Sequence, residues 1–154
     1  MSLKLSTGLR TGMLNTVGLK EAMTDGVIYI YSGAQPLTAD AAVTGTLLGK
    51  VTLAAGAFAF GAATNGLEFD AAVSAVISKA AAEAWQMVGI AAGTAGWFRM
   101  MGNTSDALGV STTLSRIDGS VAISGGDLNL ANITIAIGTP VTVDVFQFTF
   151  PAAA

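Results

Sequence analysis

From residue 27 onward, apolar residues recur mostly with a period of two, the spacing of a β-strand. Val27 to Tyr31 (VIYIY) is β-branched and aromatic throughout, and Ser32-Gly33 ends it. Thr46 to Leu53 predicts a second strand, and Asn65-Gly66 marks a turn. Trp85 to Ala91 and Gly96 to Met101 predict two more, joined by Ala92-Gly93-Thr94-Ala95. In the next strand Ile117, Val121 and Ile123 share one side while Asp118, Ser120 and Ser124 share the other, the pattern of a half-buried strand. Leu128 and Leu130, then Ile133, Ile135 and Ile137, keep the period between turns at Gly125-Gly126 and Gly138-Thr139-Pro140. The last run, VTVDVFQFTF, switches parity: Val141, Val143 and Val145 fall on one face, Phe146, Phe148 and Phe150 on the other. Such a run contains a bulge near Val145-Phe146 or has both faces covered. Pro151 ends it.

Two segments depart from this period. Residues 1–26 read as a short helical arm, with Ser6 or Thr7 capping a first segment through Leu14. Leu19, Ala22 and Met23 then form an i, i+3, i+4 stripe that stops at Gly26. Such an arm packs on a sheet edge or reaches a neighbouring subunit. Ala71 to Ala84 is ambiguous: Asp70 can cap a helix and alanine favours one, yet AVSAVIS also suits a strand. Partial helix is the favoured expectation there. About eight short strands between glycine-rich turns predict a mainly β fold, an antiparallel, jelly-roll-like β-sandwich. Residues 1–26 would be its arm and residues 27–154 its sandwich domain.

Composition changes the picture. Hydrophobic residues make up 52% of the chain and charged residues only 11%, well under half the usual share of about 25%. A domain with so few charges sits in a membrane or is covered by partners. No apolar stretch has the roughly 20 residues of a spanning helix: Ala71 to Gly96 is interrupted by Lys79 and Glu83. MSLKLSTGLR lacks the apolar core of a signal peptide, so a cytoplasmic origin is expected. The seven basic residues are scattered, which argues against nucleic-acid binding. With no cysteine and no histidine, the chain lacks thiolate ligands, the usual zinc ligand and the usual general base.

The motifs that suggest chemistry fail on spacing. Gly45-Thr46-Leu47-Leu48-Gly49-Lys50 resembles a phosphate-binding loop, but three residues separate its glycines where four are needed. Val51 follows the lysine and has no hydroxyl for magnesium. Asp118-Gly119 and Asp127 lack the ligand spacing of a calcium loop. Neither a catalytic residue nor a metal or cofactor site is expected, and the chain reads as a non-enzyme. A glycan-binding module or glycan-cleaving enzyme, built on Trp85 and Trp97 with the acids Glu68, Asp70 and Glu83, is the reading from another class. In the segment Gly93 to Met101, the densest aromatic cluster, alternation places Trp97, Arg99 and Met101 on one face. That face is either an interface or half of a two-sided core. Thr38 to Thr44 is too small and polar for a core and suits a loop laid against a partner or left in solvent.

Several stretches resemble a group of tailed-phage and prophage proteins: LSTGLR, IYSGAQPLTADAAVTGTLL, GTAGWFR, and RIDGSVAISGGDLNL ahead of a V-x-V-x-x-F-x-F-x-x-P ending. They spread over most of the chain and are structural rather than catalytic, while Ala71–Ala84 fits the group least well. The resemblance implies a virion structural protein, best placed as a capsid cement or decoration protein, with a tail, collar or baseplate component as the alternative. It further implies assembly in a bacterial cytoplasm, a place on the capsid surface, and the major capsid protein and copies of itself as partners. The candidate contacts are Leu3, Leu5, Leu9 and Met13 in the arm and Trp97 and Arg99 on the sheet.

Overall fold

The computed structural model describes residues 3–150 and 152. Its elements in order are β1 (Lys4–Leu5), α1 (Thr7–Asn15), α2 (Leu19–Ala22), β2 (Val27–Ser32), β3 (Leu47–Leu53), β4 (Val76–Ser78), β5 (Trp85–Val88), β6 (Gly93–Met101), β7 (Arg116–Ala122), β8 (Leu128–Asn129), β9 (Thr134–Ile135), β10 (Pro140–Val143) and β11 (Gln147–Thr149). The fold is mainly β and sandwich-like, with short N-terminal helices and sheets that stay open. The order β1-β7-β6-β2-β3-β5-β10 forms the main sheet; β8 joins β7 and β9 joins β6. β11 and β4 form a two-stranded sheet of their own.

β2 is central, pairing antiparallel with β3 on one side and β6 on the other. All of Val27 to Tyr31 is buried, so both faces of this strand are covered. Ile28 and Ile30 enter the larger core with Phe98, Met100, Ile117 and Val51. Val27, Tyr29 and Tyr31 point the other way, into a second cluster with Trp97 and Met101. Segment 33–46 and segment 102–115 lie over that second face, through Val43 and Leu108. Ala39 is buried as well. The loop expected to meet a partner or solvent therefore covers its own sheet. The glycines of the false phosphate loop have structural causes. Gly45 takes φ +79°, and a Cβ on Gly49 would meet the Met87 sulfur at 2.5 Å.

The arm belongs to the same core. Leu9, Leu19 and Met23 are buried in it, and β1 pairs with β7. Ser6 caps α1 and is itself fully buried. Its oxygen accepts from Leu9 N at 3.2 Å and Arg116 N at 2.9 Å, and its hydroxyl donates to Leu114 O at 2.7 Å. Ser6→Ala therefore strands two donors and a carbonyl; a loss of about 2 kcal/mol is expected by urea denaturation.

Ala71–Ala84 is not helical. It turns at Ser74-Ala75 into β4, with Val73 and Val76 exchanging backbone hydrogen bonds of 2.9 Å. Val76 and Ile77 then find partners in β11, and this tertiary pairing outweighs the helix preference of alanine. The parity switch in the last run also has a cause. The strand stops at Val143, and the chain crosses to the second sheet before restarting at Gln147. Phe146 and Phe148 are thus buried while Val145 is exposed.

Two tight turns carry alanines in the left-handed region. Ala54 and Ala55 have φ of 51° and 56°, and Gly56 N donates to Leu53 O at 2.9 Å. Asn-Gly suits such a turn far better. Replacing Ala54-Ala55 by Asn-Gly is expected to raise stability by about 1–2 kcal/mol, measured as a rise in the urea midpoint at unchanged m-value.

Candidate functional site

Register lines up one transverse row across five strands. Lys4 pairs with Asp118, Asp118 with Arg99, Arg99 with Tyr29, and Tyr29 with Lys50. The row runs under the second cluster. Arg99 Nε and Nη2 each donate to one oxygen of Asp118 at 2.7 Å, a bidentate pair with both side chains fully buried. A second such pair lies close by: Arg116 Nε and Nη2 donate to Asp106 at 2.6 Å. The Arg116 Nη1 leans on Ala39 O and Ala41 O at 3.4 and 3.5 Å. The Arg116 contacts fasten segments 33–46 and 102–115 to the sheet, while the Arg99–Asp118 pair ties β6 to β7 beneath them.

Burial sets the protonation behaviour here. It pushes the Asp118 carboxyl above its ordinary range, outweighing the hydrogen bonds and charge of Arg99. It also pushes the Tyr31 hydroxyl up to about 12, against the pull of Arg99. A tyrosine that stays protonated when folded and ionises near 10 when unfolded leaves the unfolded state with fewer bound protons. Stability is therefore expected to fall as pH rises from about 10 to about 12, and Tyr31→Phe to flatten that fall in alkaline melting curves.

The remaining charges do similar work. Asp40, Glu68, Asp70, Glu83 and Asp127 each accept from a backbone N–H, at 2.8 or 2.9 Å. Lys4 and Lys79 donate to Pro36 O and Glu83 O at 2.6 and 2.7 Å, and Lys20 donates to Phe69 O. Lys50 lies over the Tyr29 ring at 4.9 Å. The scarce charged side chains are thus tied largely to the chain's own backbone and rings.

No family model, curated protein or solved structure matches this chain. What it does has to be argued from the arrangement itself. Among the described residues, no group of three or more acids could hold a metal ion, and no helix is long and apolar enough to cross a membrane.

The six candidate contact residues separate into three kinds. Trp97, Arg99 and Leu9 have no exposed surface, so an interface role for them in the folded chain is corrected: they are core and ion-pair residues. Leu5 and Met13 are half-buried against the larger core. Leu3 is exposed and lines a groove of about 680 Å³ with Ile123, Val145, Phe146 and Phe148. The residues of the glycan reading are engaged inside. Trp85 has no exposed face, and its Nε1 donates to Glu83 at 2.8 Å. That same Glu83 oxygen accepts from Glu68 N. A sugar ring has no tryptophan to stack on.

Sequence reading missed Asp118 as a partner of Arg99, because alternation assigned it to a solvent side. An arginine within GWFRMM, an otherwise apolar strand, was the available signal that a buried acid lies opposite. Tyr31, Asp106 and Arg116 carried no such signal.

Proposed function

We propose that this chain is a virion structural protein of a tailed phage, a cement protein that ties neighbouring capsomers together on the head. One observation carries the reading. The few charged side chains are held largely by the chain's own backbone and by each other, in two buried ion pairs and many loop contacts. The skin that remains is poor in free charge and carries exposed Leu14, Leu37, Val110 and Ile137. A surface of that kind suits permanent cover by other chains. The resemblance of the sequence to tailed-phage proteins gives the setting in which that cover is supplied.

The groove around Leu3, Ile123 and Val145 is the contact we favour for the major capsid protein. Apolar contact contributes roughly 25 cal/mol per Å² buried, against a substantial association cost. Bridging two capsomers at once makes the second contact intramolecular and adds avidity. The effect is mechanical, resisting the outward pressure of packed DNA.

Purified chain is mixed with heads from which it has been removed. Rebinding over the whole head, together with weak affinity for isolated capsid subunits, is the expected result. Binding confined to the neck or tail points instead to a collar or tail component. Failure to bind any part of the particle overturns the virion reading.

A further inference from the structure

The face that carries the ion pairs also holds three buried polar atoms without a hydrogen-bond partner: the Tyr31 hydroxyl, Trp97 Nε1 and Arg99 Nη1. Buried polar groups are ordinarily satisfied, and an exception signals a further participant. The three side chains are neighbours. Tyr31 and Trp97 face each other across β2 and β6, with rings stacked at 4.6 Å and 15°. Arg99 lies two residues along β6, its guanidinium carbon 5.7 Å from the Trp97 ring. Its Nε and Nη2 are committed to Asp118, which leaves Nη1 turned away from that pair. Together the patch offers one indole N–H, two guanidinium N–H and a hydroxyl that donates or accepts.

We propose that this patch is an internal hydration site: ordered water beneath segments 33–46 and 102–115 accepts from Trp97 Nε1 and Arg99 Nη1 and bonds the Tyr31 hydroxyl. Charge decides between water and an ion. The charge of Arg99 is already matched by Asp118, and the carboxylates of Asp118 and Asp106 both act on Tyr31. A buried anion would sit beside two acids, and a cation beside two guanidiniums. Water carries no net charge and supplies both donors and acceptors. A domain of this size ordinarily encloses several buried waters, about one per 27 residues, each with two to four polar partners. The site is independent of the proposed place on a capsid.

The two tryptophans make the test internally controlled, since both are fully buried but only Trp85 has a protein partner for its Nε1. Water-selective NOE and ROE spectra are recorded on the ¹⁵N-labelled native chain. The expected result is a cross-peak between water and the Trp97 indole N–H, of opposite sign in the two experiments as for a long-lived bound water, with none at Trp85. Tyr31→Phe keeps the ring stack and removes one partner, so the Trp97 cross-peak weakens while Trp85 is unchanged. Absence of the native cross-peak overturns the site. A saturable shift of the Trp97 signal on titration with sodium bromide also overturns it, because the occupant is then an anion.

Discussion

Arg99→Ala is expected to lower the unfolding free energy by about 3–5 kcal/mol, the cost of leaving one member of a buried ion pair unmatched. For a chain of this length that is a drop in Tm on the order of 10 °C. The reason lies in the geometry: Asp118 has no exposed surface and takes both of its strong bonds from Arg99. Replacing both partners by apolar residues, Arg99→Met with Asp118→Leu, should recover most of the loss, because no buried charge is then left without its partner. Urea denaturation of the two single variants and the double variant measures the coupling. A double variant as unstable as Arg99→Ala alone would mean that the pair does more than neutralise itself. Hydrogen exchange adds a local readout. Amides in segments 33–46 and 102–115 are expected to lose protection first, since the layer under them is what holds them down.

Phe146→Ala is the second large effect, at about 3–5 kcal/mol. This residue sits between strands yet is buried, 2% exposed. Its ring meets Trp85 and Phe98 at centroid distances of 5.6 and 5.4 Å and Phe148 at 4.8 Å, so it joins the main sheet to the two-stranded one. Phe146→Leu refills much of the space and should cost less than half as much. Equal losses in the two variants would show that ring packing between the sheets is not the source of the effect.

The strands were legible wherever the period of two met a clear turn, as in β2, β3 and β7, and so was a cap at Ser6 or Thr7, of which the fold uses Ser6. What stayed hidden depends on contacts between distant segments. The strand at Val76 exists because β11 supplies its partner. Alternation told that Trp97 and Arg99 share a face with Met101, but not that residues 33–46 fold back over it. A small, polar loop gives little sign of whether it covers its own sheet or another chain. The same limit applies to the charges: their scarcity is plain in the composition, while their use as fasteners of backbone and loop appears only in three dimensions. That use turned the interface candidates on β6 into core residues and left Leu3 as the most exposed member of the set.

A skin with little free charge attaches through apolar and backbone contacts, which sodium chloride does not screen. Rebinding of purified chain to heads lacking it, followed across sodium chloride from about 0.05 to 1 M, tests this most directly. Occupancy that holds at the highest salt is the predicted result. Occupancy that falls steeply with salt would show that free surface charge holds the chain in place, and would contradict the account.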